Sequence, residues 1–359
     1  MSSNLVLMIC SGVLVLLNTA PLYWQFAQGN SGPTAMGVWV MVANLNDLIN
    51  AAVWYHDAVD RAPIWCDISV KVILGGQVGR LAAVACIARF LADVVSPRAT
   101  AITHQDRRRR AIFDYSMSFG VPIVVMACHI IYQPNHYAIF HGGGCEVTQT
   151  MTWPTLVLRM IWGPVFALTG VLYSTYTVYR LIRHRRDFSR VTAGAHSALT
   201  TARFIRLAAL SISYLLVGLP LSLYSTFIAI VSTGRFTDYD WQYVHSAWKI
   251  QPVVLYDALQ PVDPNTWSDV VVGVIFFAAF GFGTDATLVL KKVLHSCCAS
   301  VKAAFPSSWC LRRPSRPDIL QSMENGGLPT PVMVYTHEVK RQPLGQGVKV
   351  MVEEQQDVY

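Results

Sequence analysis

The sequence predicts an all-α membrane protein, a bundle of seven transmembrane helices with the N-terminus outside and the C-terminus cytoplasmic. Three observations carry that prediction. Hydrophobic residues make up 53% of the 359 and charged residues only 14%, against roughly 25% charged in an ordinary soluble domain. The apolar residues fall into seven blocks, each long enough for a helix to cross a hydrocarbon core about 30 Å thick, which takes roughly 20 residues. The basic residues crowd into the connections of one side, and the net charge of +7 is therefore mostly a topology signal.

The first block, about 5–26, and the sixth, about 207–231, contain no Asp, Glu, Lys or Arg. The second (33–55), fourth (111–132), fifth (155–179) and seventh (270–290) carry one each: Asp47, Asp114, Arg159 and Asp285. The third, 64–92, is interrupted by Asp67, Lys71, Arg80 and Arg89, but apolar residues return after each, so it is read as a span as well. The first block lacks a basic leader, exceeds the apolar length of a secretory signal, and meets Pro21 just after its small-residue cleavage candidate at Thr19-Ala20; it is read as a retained helix.

Orientation follows from the Lys and Arg count in the connections. Segments 93–110, 180–206 and 291–313 carry 17 of them, while 1–4, 57–63, 133–154 and 232–269 carry 3. The rich side is cytoplasmic. Because these basic runs flank spans, they are read as topology and not as a nucleic-acid surface. The outer loops hold eight acidic residues, so an approaching ligand meets a mildly negative face. Residues 1–294 form the seven-span helical domain, and 295–359, rich in Pro, Ser, Gly, Gln and Glu, read as a mostly disordered cytoplasmic tail.

Several chemistries are excluded. A membrane zinc hydrolase needs clustered His, Glu or Asp on facing helices, but only His129 sits well inside a span and no H-E-x-x-H occurs. A retinal protein needs a lysine in the seventh span; 270–290 has none. Gly142-Gly143-Gly144 and Gly75-Gly76-x-x-Gly79 lack the strand-turn-helix setting of a phosphate loop. The first reads as a loop hinge, and the second, with Gly75, Gly79 and Ala83 four apart, as a small-residue face where helices approach closely. No catalytic pair, metal site or cofactor site is predicted, so the chain is not read as an enzyme.

Intramembrane polar residues are functional candidates by default. Asn46 and Asn50 share one face of the second span, with Asp47 beside them; Gln77 and Arg80 lie in the third span and Arg159 in the fifth. Arg80 is expected to pair with Asp47, in a contact that either rearranges on activation or belongs to a static packing network. Asp114 and Asp285 are placed to pair with cytoplasmic arginines. Tyr239, Trp241 and Trp248 in the long outer segment suit either ligand contact or an ordinary aromatic belt. Two cysteines, Cys66 and Cys145, fall on the oxidising outer side, where a disulfide would staple the loop over the bundle. Cys297 and Cys298, just inside the membrane, suit reversible palmitoylation. Pro220 in Gly218-Leu219-Pro220 is a candidate hinge in the sixth span.

Seven spans, an outside N-terminus and a basic third inner loop describe the G-protein-coupled receptor arrangement. Asn44-Leu45-x-x-x-Ile49-Asn50-Ala51-x-x-Trp54, Trp65-Cys66-Asp67-Ile68, Gly144-Cys145, Arg203-x-x-Arg206-Leu207 with Leu219-Pro220-Leu221-Ser222, and Phe280-Gly281-Phe282-Gly283 narrow it further. Over roughly residues 5–290 the chain resembles fungal mating-pheromone receptors of the a-factor receptor type. The resemblance implies a peptide pheromone with a farnesylated C-terminal cysteine as ligand. It also implies a heterotrimeric G protein feeding the mating MAP-kinase pathway, a multi-pass location in the plasma membrane, and a possible homodimer. The ligand candidates are then Asn46, Asn50, Gln77, Arg80, Arg159, Tyr239, Trp241 and Trp248. Arg89, Arg107, Arg108, Arg183, Arg185, Arg203 and Arg206 are the candidates for the G-protein α subunit. The sequence departs from the family pattern at His141-Gly142-Gly143-Gly144, where acidic residues are expected before the loop cysteine, and in its short tail. The competing reading is a seven-span transporter or receptor-like protein without G-protein coupling, which predicts a continuous polar path that the uncharged first and sixth blocks do not provide.

Overall fold

The computed structural model describes residues 3–96, 104–183, 201–233, 238–258 and 264–281, all within the compact unit Met1–Cys298. Within them the chain is mostly helical. α1 (Ser3–Ala27) and α2 (Ser31–Val53) are joined by a tight turn through Gly29, whose φ of 68° is left-handed. α3 (Pro63–Val94) opens on proline, where the absent N–H would be unpaired in any case. α4 (His104–Tyr115) runs through a π-helical segment, Ser116–Gly120, into α5 (Val121–Tyr132). α6 (Trp153–Thr155) runs likewise through Leu156–Met160 into α7 (Trp162–Arg183). α8 (Thr201–Thr233) contains Pro220; two single-turn helices, α9 (Trp241–Val244) and α10 (Ala247–Ile250), precede α11 (Pro264–Phe280).

Among the described residues, five stretches are long and apolar enough to cross a membrane: Ser3–Ala27, Ser31–Val53, Gln105–Tyr132, Trp153–Arg183 and Phe204–Ile228. α3 has the length, but Asp67, Lys71, Arg80, Arg89 and Asp93 punctuate it. α11 is described for 17 residues, and Asp285 lies outside the described residues, as does the 295–359 tail.

Beside the helices lies a small sheet in order β2-β1-β3, which the sequence reading did not include. β1 (Tyr137–Phe140) and β2 (Gly144–Glu146) form an antiparallel hairpin, with Ile139 opposite Cys145. β3 (Val253–Tyr256) adds parallel to β1, with Ile139 opposite Leu255. The glycine run makes the hairpin turn. Gly142 and Gly144 adopt φ of 82° and 81°, which only glycine takes up readily, and the Gly142 N–H is satisfied by the Trp54 carbonyl at 2.7 Å.

α3 is the axis of the bundle, packed by α2, α5, α7 and α8. Ala82, Ala83, Val84 and Ala88 are fully buried around its circumference, as expected of a helix with neighbours on every side. Its small-residue face receives Trp39 of α2. The ring lies so close that a Cβ on Gly79 would fall 2.2 Å from Nε1, and one on Gly75 would fall 2.9 Å from the ring and 2.8 Å from the Met126 sulfur. The first π-helical segment fixes that ring. A π turn leaves a carbonyl outside the regular helical ladder, and Trp39 Nε1 donates to the Ser118 carbonyl at 2.8 Å.

Because Trp39 is held by a buried hydrogen bond it cannot retreat, so Gly79→Ala is expected to lower the thermal midpoint of the purified protein by several degrees, the scale of about 1–3 kcal/mol of overpacking. Gly76→Ala, whose added Cβ would meet only Trp39 at 3.8 Å, should shift it by no more than about a degree. Equal shifts would show that the approach at Gly79 is not close.

Candidate ligand site

One end of the bundle is organised by a covalent tie. A disulfide joins Cys66 near the start of α3 to Cys145 on β2, across 79 residues of chain; in the chain-entropy account, closing a loop of that length stabilises by about 4.5 kcal/mol. The sheet and α3 share a small core in which Trp54, Cys66, Leu74, Ile139 and Cys145 are buried. Asn50 sits at the seam. Its amide donates to Ser69 Oγ at 2.9 Å, its oxygen accepts from Trp65 Nε1 at 2.8 Å, and Gly144 passes so near that a Cβ there would lie 2.6 Å from it. Tyr137 on β1 donates its hydroxyl to Asp60 at 3.0 Å; burial and the carboxylate beside it push that hydroxyl's pKa up.

The long 238–258 segment is latched to the chain around the end of α5. Tyr239 donates its hydroxyl to the Ile131 carbonyl at 3.1 Å, and Trp248 Nε1 donates to the Gln133 carbonyl at 3.0 Å. Trp248 stacks on His136, while Trp241 stacks on His245, whose other nitrogen meets the Ile130 carbonyl at 2.8 Å. Tyr239, Trp241 and Trp248 thus fasten a loop. His129 is likewise satisfied within the protein, between the Lys71 ammonium at 2.8 Å and the Thr148 carbonyl at 3.1 Å.

A cavity of about 300 Å³ opens between α3, the second π-helical segment, α7, α8 and α11. Gln77, Arg80 and Arg159 line it together, with Gln149, Tyr214 and Ser222. Asn46 and Asn50 lie elsewhere. Asn46 is buried beside Asp47 on α2, and Asn50 serves the loop seam.

The partner expected for Arg80 is corrected. Its buried guanidinium pairs with Asp269 in the first turns of α11, not with Asp47. Asp47 lies near enough to feel both charges, and the Tyr214 hydroxyl sits beside the arginine. The reason lies in how α11 docks: Asn44 donates to the Asp269 carbonyl at 3.3 Å, and Asn18 donates to the Gly273 carbonyl at 3.2 Å. These two amides draw the start of α11 against α1 and α2, which delivers the Asp269 carboxylate to the arginine. Asp269 falls one residue before the apolar block, so the sequence reading counted it as a loop acid.

At the opposite end, Arg89 stacks over Phe113 and Arg110 over Phe90, each 4.1 Å from the ring centroid. Asp114 accepts a hydrogen bond from Ser31 in the first turn of α2 instead of forming an ion pair with an arginine. Arg107 and Arg108 are exposed on α4, Arg183 reaches the Tyr179 hydroxyl, and Arg206 is half-buried on α8. Arg203 lies in the first turn of α8, with its side chain outside the described part; Arg185, Cys297 and Cys298 are outside the described residues. Pro220 lines an apolar groove of about 510 Å³ between α7 and α8.

Residues 6–300 match the family described as Pheromone A receptor. The chain belongs to that family. Among curated pheromone receptors, the Pheromone B beta 1 receptor of Schizophyllum commune is 28% identical over 303 residues, covering 80% of this chain and 54% of that receptor. The Pheromone B alpha 3 receptor of the same species (strain H4-8 / FGSC 9210) is 31% identical over 285 residues, 76% of this chain and 44% of that receptor. The Pheromone a factor receptor of Saccharomyces cerevisiae is 28% identical over 292 residues, 79% of this chain and 60% of that receptor. The chain spans about half the length of these curated relatives.

In this pheromone-receptor-family chain the buried ion pair sets the geometry of the cavity wall. Arg80→Gln takes the counter-charge from the partly buried Asp269 and is expected to cost about 3–5 kcal/mol of stability, read as loss of the folded, monodisperse protein. Adding Asp269→Asn should recover about half of it, because the charge that Arg80 had balanced is removed as well; a double variant no more stable than the single would show that the two residues are not coupled.

Proposed function

We propose that the chain is a G-protein-coupled receptor for a farnesylated peptide mating pheromone. In this reading it crosses the plasma membrane seven times, with the disulfide-bearing end outside and residues 295–359 as a cytoplasmic tail. It activates a heterotrimeric G protein through the α subunit and, through it, the mating MAP-kinase pathway. The observation that carries the reading is the family match across residues 6–300, which reaches into every described helix. The cavity supports it: polar and apolar side chains of α3, α7, α8 and α11 converge there, as small-ligand sites between helices do.

The proposed mechanism uses α8 as the moving part. A lipopeptide partitions into the outer leaflet, because its farnesyl chain is apolar, and presents its polar residues to the cavity. Tyr214, Gly218, Leu221 and Ser222 of α8 line that cavity, while Arg203 and Arg206 lie near the helix's other end. A ligand that binds better when α8 is displaced shifts the population toward that state and exposes a cleft near Arg89, Arg203 and Arg206 to the G protein. Palmitoylation at Cys297 and Cys298 would hold the tail to the bilayer.

The test is nucleotide exchange on a fungal G-protein α subunit by the purified receptor in lipid. Farnesylated pheromone peptides are expected to accelerate it and their unfarnesylated forms to fail. Arg203→Glu with Arg206→Glu should abolish the acceleration while peptide binding persists. A folded receptor that leaves a competent G protein unstimulated across a broad peptide set would overturn the reading.

A further inference from the structure

Two arginines line the cavity, and the fold provides for them differently. Arg80 has the Asp269 carboxylate. Arg159 donates to the amide oxygen of Gln149, a neutral group, and among the described residues no carboxylate lies within 4.0 Å of it. The Tyr132 hydroxyl and Glu146 on β2 act on it only at longer range. A guanidinium presents five N–H groups in a planar fork that matches a carboxylate. One amide oxygen satisfies a single direction of that fork and none of its charge. Arg159 faces the cavity, and none of its nitrogens is sealed in the protein without a partner.

We propose that Arg159 is the anion anchor of this cavity and that the peptide ligand carries one carboxylate, from an acidic side chain or from its chain terminus, that docks on it. The proposal rests on the peptide-receptor reading and names the ligand chemistry which that reading leaves open. Hydroxyls of Ser222 and Ser225 on α8 share the cavity and supply further donors to an anion, while the Thr226 hydroxyl is spent on the Ser222 carbonyl at 2.8 Å. The lining comes from inside the bundle, between α3, α7, α8 and α11, which favours a peptide group over the headgroup of a surrounding lipid. At about 300 Å³ the space is at the small end for ligand pockets, so it takes one side chain or one end of a peptide. Asp60, Asp238, Asp240 and Asp257 are exposed on the loops at this end. They repel a strongly anionic ligand, leaving a single carboxylate on an otherwise neutral or basic peptide as the best match.

The experiment uses the full-length receptor in phosphatidylcholine nanodiscs and a panel of synthetic farnesylated peptides. Each is made in matched forms: Glu against Gln in the chain, and free carboxyl against carboxamide at the end. Thermal melting reports binding, and nucleotide exchange on the G protein reports coupling. Peptides that raise the midpoint are expected to weaken by about tenfold or more when the carboxylate is removed, the scale of a lost charge-assisted bond; the pair that responds identifies its source. Arg159→Gln should erase the acid-amide difference and Arg159→Lys should keep most of it. Should Arg159→Gln fail to fold, the wild-type acid-amide comparison and Arg159→Lys decide. Equal binding of acid and amide forms overturns the proposal, as does discrimination that survives in a folded Arg159→Gln, the absence of any shift across the panel, or stabilisation by phosphatidic acid alone. A carboxylate-dependent shift without nucleotide exchange would leave the anchor standing and sink the coupling reading, so the two failures are separable.

Discussion

The close approach of α2 to α3 at Gly79 is the contact from which the rest of the bundle takes its geometry. A residue with any side chain at that position would push Trp39 off the helix, and Trp39 is the group that ties α2 to the first π-helical segment through Ser118. Three helical runs are therefore placed by one indole. The next residue along, Arg80, is buried in the same packing, so the face that admits the tryptophan also commits the protein to a guanidinium deep among its helices. An unpaired charge there is unfavourable by at least about 2.5–3.5 kcal/mol, and Asp269, delivered by the docking of α11 on Asn18 and Asn44, offsets it.

Much of this scaffold was legible in the sequence, and the reasons for what was not are specific. Gly75, Gly79 and Ala83 recur every four residues, a spacing that marks one helix face whatever the partner; that the partner is Trp39 depends on which helix docks there, and spacing is silent on that. Asn46 and Asn50 do share a face, but that face serves Asp47 and the loop seam, because four-residue spacing gives a direction without a neighbour. The partner of Arg80 was missed because Asp269 sits at a block edge, where hydropathy cannot tell the first turn of a helix from the end of a loop. The sheet was missed because Tyr137–Phe140 is a four-residue run whose parallel partner, Val253–Tyr256, lies far along the chain.

The two π-helical segments had no sequence signature at all, and both position groups singled out above. An i→i+5 turn inserts a residue into a helix without changing its composition, and such insertions concentrate at functional sites. The first presents the carbonyl that holds Trp39. The second, Leu156–Met160, carries Arg159 and turns the register between α6 and α7, so that the arginine lines the cavity while Val157 on the same segment stays exposed.

The same cavity shows why α8 is the element through which a ligand could act at a distance. Gly218 and Ser222 stand on its wall, and Arg206 stands about 18 Å away along the same helix, twelve residues at about 1.5 Å each. Pro220 falls between the two cavity positions, at a step where a helix bends because one backbone bond is missing. In the proposed mechanism a shift at the wall would be carried to the basic end by a single segment pivoting at the proline, with no chain of intermediates required. Arg80 is already charge-paired within the fold by Asp269, so it stiffens the wall against which α8 moves. Arg159, which is not, is the cavity group with most to gain from a ligand, and it faces α8 across the space that the ligand would fill.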